Sequence, residues 1–138
     1  MNYGDWRSLN SLNDRNLLIQ VTGDFGEPKG LVSVARYLKE INETVSMFYT
    51  SNVEQYTSRN GIQLRFVENV AEMPRTANSV IVRSYFAQGR GGSADHPQHV
   101  SGFLSTQISQ KMSDFVTGSQ GGQFPSYWDL VTKLLIEP

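Results

Sequence analysis

The sequence predicts an α/β fold, a three-layer, Rossmann-like partial fold with a small, mainly parallel sheet. Three observations predict it. The run Leu17 to Thr22 is almost continuously apolar and β-favouring, as in a strand buried on both faces. A glycine-rich turn and then Leu31, Val34, Ala35, Leu38 and Ile41 at helical spacing follow it. Val45 to Thr50 then reads as a second strand, so Leu17 to Ser51 has the pattern of one βαβ unit.

The rest of the chain attaches to that unit. Asp5 to Arg15 carries Trp6, Leu9 and Leu12 at helical spacing, with Asp5 placed to cap the start. Trp6 reads as a packing anchor rather than a ligand stacker. Pro28 suits a first helical turn, where its missing N–H costs nothing. Asn42 and Glu43 end the main helix. Ser51 and Glu54 match a capping box and predict a helix from about Asn52 through Tyr56, broken at Asn60-Gly61. Ile62, Phe66, Val70 and Met73 resume a helical stripe that stops at Pro74. Ser79 to Tyr85 is a third strand, expected to be less uniformly buried because it contains Arg83. Crossovers of this length imply parallel strands with right-handed connections. Leu104, Ile108, Met112 and Phe115 suggest a further helix. Ser126 with Asp129 fits a capping box ahead of a last amphipathic helix with Tyr127, Leu130, Val131, Leu134 and Leu135.

Composition narrows the function classes. The 138 residues make one domain, 1–138, with a long loop over 86–102 that holds four glycines and no apolar period. Twelve basic and thirteen acidic residues are dispersed, for a net charge of -1, so no nucleic-acid partner held by electrostatics is expected. No apolar run approaches the ~20 residues of a membrane span, and the polar start MNYGDWRSLN lacks a signal-peptide core. The chain has no cysteine, which removes disulfides, thiolate catalysis and cysteine-based zinc sites. A cytoplasmic protein is the expectation.

In open α/β sheets ligands bind beyond the carboxyl ends of the strands. That rule singles out Asp24, Asn52, Glu54 and Tyr85, joined by Arg90, His96 and His99 from the long loop. Gly23 to Gly30 is neither of the common phosphate-binding glycine patterns, and Asp24 and Glu27 would repel a phosphate. Asp24 reads as a turn acid or as an acceptor for a polyol hydroxyl. Glu54 has a structural use in its capping box, whereas Asn52 has none in the sequence. His96 and His99 lie three apart; with Asp95 they make a weak metal pattern, and a solvated loop is the simpler reading. Arg90 is either an anion clamp or an ordinary loop arginine. No metal and no cofactor is expected.

Arg15 to Glu40, followed by VSMFYTSNVEQY at Val45 to Tyr56, resembles the C-terminal part of bacterial proteins of unknown function labelled S-adenosylmethionine-dependent methyltransferase-like. The His-Pro-x-His run at His96 and Pro125 to Val131 resemble the same pattern, so the likeness spans roughly Leu9 to Thr132. It implies a Rossmann-like fold. The cofactor-binding glycine motif of such enzymes lies in a longer N-terminal half, which is not matched before Leu17. Methyltransferase activity is therefore not expected of this chain alone. Two functions follow as expectations. One is a small-molecule binding domain built on the seven residues above. The other is a homo-oligomeric interaction module without catalysis, in which the exposed edges of a small sheet are covered in a homodimer.

Overall fold

The computed structural model describes residues 3–86 and 95–137, with side chains described for all of these except 3–6 and 9. The reading of Trp6 as a packing anchor, and that of Arg90 as a clamp, lie outside the described residues. Helix α1 spans Tyr3–Asp14, α2 Gly30–Glu40, α3 Val53–Arg59, α4 Gln63–Ala71, α5 Met112–Gln120 and α6 Tyr127–Thr132. Strands β1 (Val45–Ser51), β2 (Arg75–Tyr85) and β3 (Thr106–Lys111) form one sheet in the order β1-β2-β3. The α/β class stands. The sheet is mixed rather than mainly parallel: β1 runs parallel to β2, and β3 runs antiparallel to it.

Helix boundaries follow local chemistry. Asn16 takes a left-handed φ of 54° after α1, and Leu17 N–H bonds back to the Leu12 carbonyl. Asn42, at φ 55°, ends α2 in the same way, with Glu43 N–H on the Leu38 carbonyl. Asparagine tolerates this conformation better than other side chains except glycine. Gly61, at φ 70°, separates α3 from α4. Pro28 lies in the turn before α2, which begins two residues later.

The core lies on one face of the sheet. Phe66, Val67 and Val70 of α4 meet Met112, Phe115 and Val116 of α5, Ala35 of α2 and Ile81 of β2. The rings of Phe25, Phe48 and Phe115 all lie within 6.4 Å of the Phe66 ring, centroid to centroid. Strand alternation puts Met47 and Tyr49 on the opposite face. They are 63% and 57% exposed.

Two sequence expectations are corrected. Leu17 to Thr22 is not a strand; Leu17, Leu18, Ile19 and Val21 are exposed, and among the described residues β1 pairs with β2 alone. An apolar run becomes a buried strand only where a neighbour supplies both hydrogen bonds and a covering face. The helix expected from Leu104 splits: Thr106 to Lys111 is β3, and α5 begins at Met112. Thr106, Ile108 and Gln110 point inward, so two of the three buried positions of β3 are polar and leave no apolar alternation to read.

The two edges of the sheet differ. Along β3, Gln110 bridges to Leu135, and Ile136 N–H donates to the Ser109 carbonyl at 2.8 Å. The C-terminal segment thus covers that edge. The outer edge of β1 has no backbone partner among the described residues.

Candidate functional site

Ser51 ends β1 at a left-handed φ of 55° and turns the chain sharply into α3. That turn swings Glu54 under the sheet rather than back onto the helix end. The capping box expected of Ser51 and Glu54 is therefore not made: Asn52 is the N-cap residue and makes no side-chain capping bond. The Glu54 carboxylate is fully buried. It accepts from Thr50 Oγ1 at 3.0 Å on Oε2 and from Arg83 Nε at 3.0 Å on Oε1. Arg83, expected to interrupt the burial of its strand, is only 1% exposed. Its Nη1 donates to Gln110 Oε1 at 3.0 Å, and Gln110 Nε2 in turn donates to the Lys133 carbonyl at 3.1 Å. The guanidinium lies 5.4 Å from the Phe115 ring centroid. Arg83 Nη2 makes no hydrogen bond among the described residues. This polar chain ties β1, α3, β2, β3 and the C-terminal segment together inside the domain.

A second cluster forms around Tyr85. Its ring lies 5.2 Å from His96, 5.7 Å from Trp128 and 6.3 Å from Tyr127, and its hydroxyl donates to Asp95 Oδ2 at 3.3 Å. Burial, then the Asp95 carboxylate, pushes the Tyr85 phenol above its ordinary value. His96 Nε2 lies 2.7 Å from the Val131 carbonyl, and its Nδ1 accepts from Gln98 N–H at 3.1 Å. Those two partners assign the ring proton to Nε2 and occupy both nitrogens. His99 is half-buried, and its backbone N–H donates to the His96 carbonyl at 2.9 Å. Among the described residues no group of three or more histidine, aspartate, glutamate or cysteine side chains is placed to hold a metal.

Asp24 lies apart from both clusters. Its Oδ1 accepts from Gly26 N–H at 2.7 Å, an Asx turn. Gly23 packs so tightly on Gly30 that a Cβ there would lie 2.7 Å from the Gly30 Cα. Asn69 of α4 locks the same turn, donating from Nδ2 to the carbonyls of Phe25 at 2.8 Å and Glu27 at 3.0 Å.

The structure thus divides the sequence-derived residues. Glu54 belongs to a buried ion-pair chain, Tyr85 and His96 to an aromatic cluster, Asp24 to a turn, and Asn52 to a helix start. Sequence reasoning passed over Arg83, Gln110 and Asn69. A charged residue inside an apolar strand was the available signal for Arg83; nothing local marks Gln110 or Asn69, whose partners are 23 to 44 residues distant.

The chain belongs to the family described as a domain of unknown function (DUF7790), whose model matches residues 2–121. No curated protein matches the chain. The match corrects the likeness to methyltransferase-like proteins: the family found is a domain of unknown function, and no methyltransferase family accompanies it.

Proposed function

We propose, for a family whose description assigns no activity, that this domain is a self-associating interaction module, and that two copies join along the β1 edge. The observation that carries the reading is the contrast between the two edges of the sheet. The β3 edge is covered by the chain's own C-terminal segment, while the outer edge of β1 has no backbone partner among the described residues. Proteins usually protect an open edge with lysine, proline or another charge. The seven residues of β1, VSMFYTS, contain none of these. Met47 and Tyr49 add exposed apolar surface beside that edge.

A second copy is the occupant that fits. Two β1 edges related by a two-fold axis pair antiparallel and extend two three-stranded sheets into one of six strands. A net charge of -1 on each chain gives little repulsion between copies. A ligand site built from Asp24, Glu54, Tyr85 and His96 has less support, because their polar atoms already serve the fold. The setting proposed is the cytoplasm, on the polar, cysteine-free composition. No described helix is long and apolar enough to cross a membrane.

Light scattering coupled to size exclusion, over a hundredfold range of concentration, tests the reading. Dimer mass is expected for the native chain, with Met47→Lys or Tyr49→Lys shifting it to monomer. A native chain that is monomeric throughout, or a Tyr49→Lys dimer as tight as the native one, overturns it. Hydrogen exchange gives the competing outcome: a monomer whose Leu18 to Thr22 amides are protected would mean that this segment covers β1 within one chain.

A further inference from the structure

A cavity of about 240 Å³ opens between the α3–α4 corner and the junction of α5 with α6, away from the β1 edge. Its lining carries no aspartate, glutamate, lysine, arginine or histidine. The polar side chains are the hydroxyls of Ser58, Ser119, Ser126 and Tyr127 and the amide of Gln63, with the Ser126 hydroxyl already donating to the Asp129 carboxylate, and the apolar walls include Phe124 and Leu130.

These groups are held in place. Gln63 Oε1 accepts from the hydroxyls of both Thr57 and Ser58, which fixes the amide plane. With the oxygen so occupied, the Gln63 amide nitrogen has no acceptor among the described residues. Phe124 lies against Gly118, where an added Cβ would come within 2.6 Å of the ring, so the absence of a side chain on α5 sets this wall. The capping box of Ser126 and Asp129 fixes the start of α6 and with it the position of Tyr127. The Tyr127 hydroxyl makes no hydrogen bond among the described residues, and neither does that of Ser119. Burial, then the nearby Glu54 carboxylate, pushes the Tyr127 phenol well above its ordinary value, so it stays a donor.

We infer that this cavity binds a small, uncharged, hydroxyl-rich molecule of the size of a single sugar or cyclitol ring. Three features select that class. Fixed neutral donors and hydroxyls that both give and accept match a polyol. With no charged side chain among the described lining residues, and with the nearby Asp129, Glu54 and Arg83 already paired within the chain, an anion or cation entering it would lose hydration without gaining a free counter-ion. Phe124 adds an apolar wall that suits the C–H groups of a sugar. The volume lies below the ~300–1,000 Å³ of pockets for drug-sized ligands, which favours one ring over two.

The test uses the full chain and titration followed by amide NMR, with glucose, ribose and myo-inositol as neutral probes. Gluconate and glucosamine serve as charged counterparts. At least one neutral probe is expected to saturate, shifting the amides of Gln63, Ser119 and Tyr127 together. Tyr127→Phe and Ser119→Ala, each confirmed as folded by its spectrum, should weaken that probe about threefold to tenfold, the loss of one neutral hydrogen bond. The inference is overturned if no neutral probe saturates, if a charged counterpart binds more tightly, or if both variants bind as the native chain does.

Discussion

Arg83 Nε donates to Glu54 Oε1 at 3.0 Å, and each side chain is only 1% exposed. The pair joins the middle strand of the sheet to the helix that follows β1. Both charges have left water, so their attraction offsets a desolvation cost of several kcal/mol per ion. The pair is a poor source of net stability and an effective lock on arrangement, because neither partner tolerates the loss of the other.

That asymmetry makes the first prediction. Arg83→Met alone should destabilise the domain by about 3–5 kcal/mol, since it strands a buried carboxylate. Pairing it with Glu54→Leu should recover most of the loss. Urea unfolding of the two single variants and the double variant reads the difference. A single variant that costs below about 1 kcal/mol would show that the pair is not buried as described.

Asn69→Ala should cost about 1–3 kcal/mol, the net worth of its two hydrogen bonds to the Phe25 and Glu27 carbonyls. The damage should concentrate in Gly23 to Lys29, where amide exchange would quicken first. Uniform acceleration across the sheet would mean that Asn69 supports the core rather than the turn.

Gly118→Ala should destabilise α5, although alanine is the better helix former by about 1 kcal/mol. Its Cβ would press on Phe124 at 2.6 Å, and overpacking of this kind typically costs ~1–3 kcal/mol. Thermal unfolding checks the sign. A raised midpoint would show that the Phe124 ring moves aside freely.

Asp129 gives the pH prediction. Its bond with Lys133, then that with Ser126, holds its carboxyl below the ordinary value of 3.8. A carboxyl depressed on folding stabilises fully above its ordinary value and loses that contribution as pH falls through the lower, folded value. Asp129→Asn should therefore flatten the acid limb of the stability curve below about pH 4 and leave its shape near neutrality unchanged. Unfolding midpoints measured from pH 2 to pH 7 decide it; an unchanged acid limb would mean that Asp129 is not coupled to folding. Ser126→Ala, which removes the other half of the capping box, should cost about 1 kcal/mol near neutrality and less as pH falls through the Asp129 value, because Ser126 is one of the partners that hold that carboxyl down.

Much of the helical framework was legible because helices are local. The stripe from Leu31 to Ile41 became α2, Ile62 to Met73 became α4 and its flanks, and the Ser126–Asp129 capping box formed as read. Each rests on contacts within a few residues. The sheet was legible in part. Val45 to Thr50 and Ser79 to Tyr85 became strands, yet Leu17 to Thr22, the most strand-like run in composition, did not pair. Nothing in those six residues specifies whether a partner edge will be present. The site residues were read least well, because a side chain's chemistry depends on who faces it. Glu54 looked like a helix cap until Ser51 turned α3 under the sheet and placed Arg83, 29 residues on, against it.

The sequence by itself determined an α/β chain, most of its helical segments, and a composition of nearly balanced charge. These follow from propensity, periodicity and composition, which need no distant partner. Only the tertiary structure decided that the sheet is mixed, that the β3 edge is covered while β1 has no outer partner among the described residues, and that Arg83 is buried. Each of those depends on two segments meeting across tens of residues. The free energy of such a meeting comes from burial and mutual hydrogen bonding, which neither segment carries alone.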